Sequence, residues 1–351
     1  MGHIAVVLGT GAAGELGARA AGVLRDDPGV SRVIRVADAV ASQPPAGSAS
    51  GTPDGGAGDV VRLEINSTQL CALFEAIGAD TVVHLGLRAS PRSSGGRGST
   101  KEANVVGAIQ VLSACQRSRT VQKLIVQSTS AAYGISAHDP AVFTEEMEPR
   151  ASHGYGRDAI DVEGYVRSLA RRRPDIAISV LRYANILGPG IDSALTRYFS
   201  MPVAMTVVGY DPRLQFLHVS DAVEVIRRMV ADEHPGTFNV TGRGVMLVSQ
   251  CLRRAGRLPL PLPSAGLRLA ADALHDRRLP DFTRDQLELL RYGQVVDGTK
   301  LERALGWQPA YTTAEAFADF LADRGLRPGP ASQLLGRTMN LLAAASGGRP
   351  W

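Results

Sequence analysis

Gly9, Gly11 and Gly14 satisfy G-x-G-x-x-G, and Gly11, Gly14 and Gly17 satisfy G-x-x-G-x-x-G, all within LGTGAAGELG. The pattern follows an apolar run (HIAVVL, residues 3–8) and opens a stretch rich in small residues, so it joins a strand to a helix. One glycine permits the tight turn, a second lets a pyrophosphate approach the backbone, and a third lets helix and strand pack closely. The helix start then aims free N–H groups at the phosphates. In this context the glycines predict dinucleotide binding. Asp38 ends a second strand-like run, VIRVAD. An acid at about this distance past the glycines accepts hydrogen bonds from the adenine ribose hydroxyls, and its charge repels a 2′-phosphate. NAD is therefore the expected cofactor, with Arg32 and Arg35 keeping NADP open.

The elements that must position these residues alternate. Strand-like runs fall at residues 3–8, 32–36, 60–63, 81–85, 123–127 and 177–181. Helical patterns cover 14–24, 67–77, 103–117 and 159–172. Alternation of this kind predicts an α/β fold, a parallel sheet covered by helices on both faces. Residues 41–58 and 88–99 are rich in Gly and Ser and read as loops. Past residue 186 the pattern loosens, and Pro259, Pro261 and Pro263 interrupt it. We expect a nucleotide-binding domain from 1–185 plus 216–242, a smaller C-terminal lobe from 186–215 plus 243–330, and a tail over 331–351.

A chain of 351 residues, 44% hydrophobic and 21% charged, can bury a sizeable core. The net charge of +4 is carried almost wholly by scattered arginines, because the lysines are Lys101, Lys123 and Lys300. The run Arg171-Arg172-Arg173 falls late in a helical pattern, where cations complement the dipole. No nucleic-acid partner is expected. Cys71, Cys115 and Cys251 lack metal-ligand spacing and read as free thiols of a reducing, cytoplasmic setting. No metal site is expected. The first apolar run is a strand rather than a signal peptide, and no run reaches membrane-spanning length.

Taken in order along the chain, further motifs resemble the extended short-chain dehydrogenases/reductases, and within them the NAD-dependent epimerase/dehydratase family that contains UDP-glucose 4-epimerase. TGAAGELG at 10–17 is similar to the family's nucleotide motif, and Glu64-Ile65 to its acidic-aliphatic pair beside the adenine. VVHLG at 82–86 resembles its fourth strand, and Asn104-Val105-Val106-Gly107 its helix-borne N-V-x-G. STSAAYG at 128–134, LRYANILGPG at 181–190 and LGWQPAYTTAEAF at 305–317 continue the series, the last with a capping box from Thr312 to Glu315. The resemblance implies a Rossmann-type doubly wound parallel sheet with a smaller C-terminal substrate-binding lobe. It also implies cofactor contacts at Gly11, Ala13, Gly14, Glu15, Leu16, Asp38, Glu64, Ile65, Leu85, Gly86 and Asn104. The implied activity is that of an NAD-dependent epimerase, dehydratase or reductase. Its partner is a small-molecule substrate, a nucleotide sugar or related hydroxy/keto compound, and a homodimer is compatible with it.

The same resemblance makes Tyr155 the acid-base and Thr129 the residue that binds the reacting oxygen. The family carries a lysine four residues after the tyrosine, where its charge lowers the tyrosine pKa. Here YGRDAIDVEGY places Ala159 at that position. Arg157, two residues on, points about 200° around the helix and cannot substitute. Asp158, three on, would raise the pKa further. His153 is a nearby titrating group. A second departure lies in RLQFLHVSD, where Leu214-Gln215 occupy the positions of an Arg-Asp pair associated with sugar-nucleotide recognition. Arg213 is one residue off that register, and Asn185 remains a candidate phosphate ligand. His218 and Asp221 read as structural, with Ser220 or Asp221 capping the next helix. Two rival readings follow from Ala159: an NADP-dependent ketoreductase, which needs only proton donation, and a catalytically silent NAD-binding protein.

Overall fold

The computed structural model describes residues 2–9, 13–38, 60–63, 65–87, 96–263 and 284–327. The first half alternates as expected: β1 (His3–Gly9), α1 (Ala13–Arg25), β2 (Val30–Asp38), β3 (Val60–Leu63), α2 (Ser67–Ile77), β4 (Thr81–Leu85), α3 (Gly96–Arg117), β5 (Lys123–Thr129), α4 (Gly154–Arg172) and β6 (Ala177–Tyr183). The second half is more broken: β7 (Asn185–Leu187), α5 (Ala194–Ser200), β8 (Val203–Val207), β9 (Arg213–Leu214), β10 (Phe216–His218), α6 (Val219–Ala231), β11 (Gly236–Val240), β12 (Met246–Leu247), α7 (Val248–Ala255), β13 (Leu258–Leu262), α8 (Arg284–Tyr292), α9 (Thr299–Leu305) and α10 (Thr313–Asp323).

Seven strands form one parallel sheet in the order β11-β6-β5-β4-β1-β2-β3. The chain leaves β1 toward β2 on one side and returns to β4 on the other, so the ligand crevice lies outside the carboxyl ends of β1 and β4. β4 and β5 are buried along their whole length, as central strands covered on both faces must be. Leu16, Ala20 and Leu24 give α1 one buried face at helical spacing. They join α6 on one side of the sheet, while α2, α3 and α4 cover the other. A third core, built on Phe199, Phe216, Phe317 and Phe320, belongs to the later elements.

Two helix starts differ by several residues from the sequence reading. α3 begins at Gly96 rather than near 103, through a Gly-Arg-Gly-Ser-Thr stretch of weak helix formers. α4 begins at Gly154 rather than 159, which puts Tyr155 in its first turn. The glycines at 154 and 156 mask that start in the sequence. Asn66 caps α2 by accepting from the Gln69 N–H at 2.9 Å. The Thr312–Glu315 capping box is present, with the Thr312 N–H donating to Glu315 at 2.7 Å. The cap of α6 is a correction: His218 Nδ1 accepts from the Ser220 N–H at 3.2 Å, so neither Ser220 nor Asp221 caps that helix. Asp221 is buried and instead holds the Ala310 and Tyr311 N–H groups at 2.9 and 3.0 Å.

Candidate active site

Gly11 and Glu64 lie outside the described residues, and of Ala13 and Asp38 only the backbone is described. Ala13 starts α1 and Asp38 ends β2, at the carboxyl edge of the sheet. Gly14 follows, and among the described residues, its chain neighbours and own helix backbone apart, nothing lies within 4 Å of where a side chain on it would point. Toward the described residues the backbone there is uncrowded, at a helix start that favours anions. Glu15 is exposed and pairs with Arg19 at 2.8 Å, while Leu16 is buried in the core. Leu85 and Gly86 sit at the carboxyl end of β4. A Cβ on Gly86 would stand 2.5 Å from the His84 ring, so only glycine fits without displacing that imidazole. Burial holds His84 neutral, its pKa lowered to about 4. Its Nδ1 has no hydrogen-bond partner among the described residues. Ile65 is partly buried against the core under α2 and α3. These features fit a dinucleotide lying across β1, β2 and β4. Gly14→Val would fill the open approach, and we expect it to abolish NAD(H) binding in a calorimetric titration; undiminished binding would reduce the glycine to a structural turn.

Across the crevice, Thr129 is the last residue of β5 and is buried. Its hydroxyl accepts from the Ala131 N–H at 3.2 Å, which fixes the chain as it turns into a short helix over Ser130–Tyr133. The Tyr155 and Thr129 hydroxyls share a hydrogen bond. The contact depends on Gly156. A Cβ there would fall inside van der Waals distance of the Ala131 carbonyl, so the first turn of α4 rests backbone against backbone on the turn after β5.

Burial pushes the Tyr155 phenol up to about 12; the Thr129 hydrogen bond lowers it and the Asp158 carboxylate raises it. Ala159 is buried in a small apolar cluster with Leu87 and Ala132, against which Tyr155 and Ile160 pack. Arg157 pairs with Asp161 at 3.0 Å, one turn along the outer side of α4. Asp158 is fully buried and accepts a hydrogen bond from Asn104 Nδ2 at 3.0 Å. Asn104 thus commits a donor to a neighbouring helix. His153 occupies the N-cap position of α4, its Nδ1 2.9 Å from Ser152 Oγ and its Nε2 3.9 Å from Glu288.

Deeper in the same face lies a network that the sequence reading does not pick out. Glu163 on α4 and Arg182 on β6 form a two-pronged ion pair with contacts of 2.9 and 2.7 Å, and Ser128 donates to Glu163 at 2.6 Å. Arg182 also donates to the Tyr133 hydroxyl at 2.9 Å, which in turn donates to Asn239 at 2.8 Å. The signals are present in the sequence. An arginine interrupts the apolar strand AISVLRY, and a glutamate lies beside Val162 and Val166 on the buried side of α4.

The remaining candidates sit in the later elements. Asn185 begins β7 and is partly exposed. Arg213 is exposed and donates to the Ala141 carbonyl at 3.3 Å. Leu214 belongs to the third core. Gln215 is buried, donating to the Gly242 carbonyl at 3.2 Å and accepting from the Val296 N–H at 2.9 Å. Both positions are therefore consumed by folding. His218 is buried, stacks on Tyr311 and pairs with Asp319 at 2.9 Å. Among the described residues no group of His, Cys, Asp and Glu could hold a metal ion, and no helix is long and apolar enough to cross a membrane.

A seven-stranded parallel sheet with a Thr–Tyr hydroxyl pair at its carboxyl edge has the architecture of the extended short-chain dehydrogenases/reductases. The chain belongs to the NAD dependent epimerase/dehydratase family, whose family model matches residues 7–241. It is 40% identical over 325 residues to an uncharacterised protein of Mycobacterium tuberculosis, a match covering 92% of this chain and 85% of that one. Among solved structures it is similar to the UDP-glucose 4-epimerase of Thermotoga maritima with UDP-glucose, at TM-score 0.69 and 20% identity over 92% of this chain and 99% of that one. It is also similar to the UDP-glucuronic acid 4-epimerase of Bacillus cereus in complex with UDP-glucuronic acid and NAD, at TM-score 0.67 and 18% identity over 91% and 98%. At these identities the structural matches speak for the fold, and the family description agrees with the expectation of NAD.

Proposed function

We infer that this protein is an NAD-dependent oxidoreductase of the epimerase/dehydratase type, acting on a nucleotide sugar or a related hydroxy/keto compound. The observation behind this reading is the hydrogen-bonded pair of Thr129 and Tyr155 at the carboxyl end of β5. The solved relatives named for UDP-glucose and UDP-glucuronic acid supply the substrate class. Gly14 admits the pyrophosphate to the backbone, and Asp38 receives the adenine ribose hydroxyls. When bound at these residues, the nicotinamide would supply hydride chemistry, accepting as NAD⁺ and donating as NADH. Thr129 Oγ1 orients the reacting oxygen, and the Tyr155 hydroxyl exchanges a proton with it.

The phenol is neutral at physiological pH, with its pKa near 12. It can donate a proton directly, whereas acting as a base requires an ionised form that gains tenfold per pH unit as pH rises toward that value. This asymmetry favours carbonyl reduction and supports the ketoreductase as the second reading.

Calorimetry with NAD(H) and NADP(H) tests the cofactor. NAD(H) should bind more tightly, and Asp38→Ala should narrow the gap; a preference for NADP(H) in the unaltered chain would shift the assignment to Arg32 or Arg35. A turnover screen over UDP-sugars, dTDP-sugars and small ketones, read at the nicotinamide absorbance and by product analysis, tests the reaction class. Activity that survives Tyr155→Phe unchanged would refute the proton-transfer role.

A further inference from the structure

Three hydroxyl side chains follow one another across the end of β5: Ser128, Thr129 and Ser130, all buried. The outer two are committed to other parts of the chain. Ser128 donates to Glu163 of α4 at 2.6 Å, and Ser130 donates to the Gln294 side-chain carbonyl at 2.8 Å. The middle one, Thr129, shares its hydrogen bond with Tyr155. Gln294 lies in the segment after α8, 164 residues from Ser130. We propose that Gln294 is a positioning residue, which holds the Ser130–Tyr133 turn from outside the sheet and so fixes the Thr129 hydroxyl opposite Tyr155.

The grip is at both ends of the turn. Gln294 Oε1 accepts from Ser130, and Nε2 donates to the Gly134 carbonyl at 3.1 Å. A carbonyl can only accept, so one orientation of the amide satisfies both contacts. Between these ends the Ala131 N–H donates to Thr129 Oγ1, so holding the turn also holds that hydroxyl. Gln294 is buried and is itself anchored. Gly293 before it has φ of 72°, and a Cβ there would collide with the Arg213 backbone. The Gln294 N–H donates to the Arg213 carbonyl at 3.1 Å, and the Val296 N–H to the Gln215 side chain at 2.9 Å. On the other flank the Phe143 N–H donates to the Val295 carbonyl at 2.9 Å, and the Asp297 N–H to the Phe143 carbonyl at 2.8 Å. A side chain on a segment braced from two sides moves only with its neighbours. Gln294 therefore ties the reacting hydroxyl to β9, the strand that carries Arg213. Burial alone would be served by apolar groups of the same shape at 130 and 294. What the hydrogen bonds add is a fixed direction.

The assignment rests on the proton-transfer reading of Thr129 and Tyr155, and the two can fail separately. Carbon-13 at the tyrosine Cζ reads the phenol environment in the full-length protein by NMR, without any substrate. The Tyr155 resonance is the one lost in Tyr155→Phe. Gln294→Met, close in volume but unable to pair, should shift or split that resonance, because the Thr129 hydroxyl no longer keeps one place. NAD(H) affinity should stay unchanged. Ser130→Ala severs the same tie with a smaller change; it should move the resonance too, and it decides alone if Gln294→Met does not fold. With a substrate from the turnover screen, each variant should lower kcat by about 10–10²-fold, the scale of a displacement near 1 Å. kcat/KM should fall in step, since the tie acts on the reacting geometry. Combining Ser130→Ala with Gln294→Met leaves no orphan hydroxyl, so part of the melting temperature should return while the resonance and kcat do not. An unmoved Tyr155 resonance or an unchanged kcat in the single variants overturns the assignment. So does recovery of the resonance along with the melting temperature in the double variant, which would make the tie one of stability alone. If no substrate is turned over, the proton-transfer reading falls, and the resonance still decides whether Gln294 places the hydroxyl.

Discussion

Ala159→Lys is expected to lower the Tyr155 pKa and raise NAD-dependent turnover by about 10²–10⁴-fold, the usual span of well-tuned acid-base help. The ammonium group would stand one helical turn from the phenol, on the same face of α4. Its charge opposes the two influences that now hold the phenol protonated, burial and the Asp158 carboxylate. The position is buried among Leu87 and Ala132, so the lysine is itself desolvated and the melting temperature must be followed alongside rate. Tyr155→Phe in the same background should abolish the gain, because the charge acts through that hydroxyl. The difference in phenolate absorbance between proteins with and without the Tyr155→Phe substitution, titrated with base, reads the pKa without any substrate. If the pKa falls, NAD binds and no substrate is turned over by either form, the silent cofactor-binding reading replaces the enzymatic one.

Glu163→Ala should destabilise the fold by about 3–5 kcal/mol, the cost of leaving one member of a buried ion pair without the other. Both side chains are nearly inaccessible, at 3% for Glu163 and 5% for Arg182. The loss would spread, since Ser128 and Tyr133 hydrogen-bond to the same pair. Urea unfolding measures it. Replacing both members together, Glu163→Leu with Arg182→Met, should cost less than Glu163→Ala alone, because no isolated charge then remains buried. A change below about 1 kcal/mol in the single variant would mean that water reaches the pair.

The sheet is legible in the sequence because its signal is local. Each strand–helix change of period, and the glycines after β1, can be read within a short window, and the motif order then points to the family. Asn104 and Gln215 are not legible in the same way. Asn104 also donates to Asp158, 54 residues away, a contact the sequence does not announce. Gln215 closes contacts with Gly242 and Val296, brought beside it only by folding. Pairings at such separations leave no periodic trace in one sequence. Arg213 is expected at the substrate, and its hydrogen bond to the Ala141 carbonyl depends on the path of a loop. The Tyr155–Thr129 pair is legible through resemblance alone, since nothing in the composition of either segment calls for the other.

The bare Cα of Gly156, seated on the Ala131 carbonyl, separates two properties of this protein that usually change together. The spacing of the two hydroxyls is set by main chain against main chain, and is insulated from drift elsewhere along α4. The charge around them is set by the side chains at 158 and 159, of which Asp158 is tied to Asn104 and Ala159 is not hydrogen-bonded through its side chain. On the proposed function, a lineage could therefore strengthen, reverse or silence the proton chemistry without dismantling the frame that holds the two hydroxyls. For an engineer the same division makes 159 the adjustable position and 156 the one to leave alone.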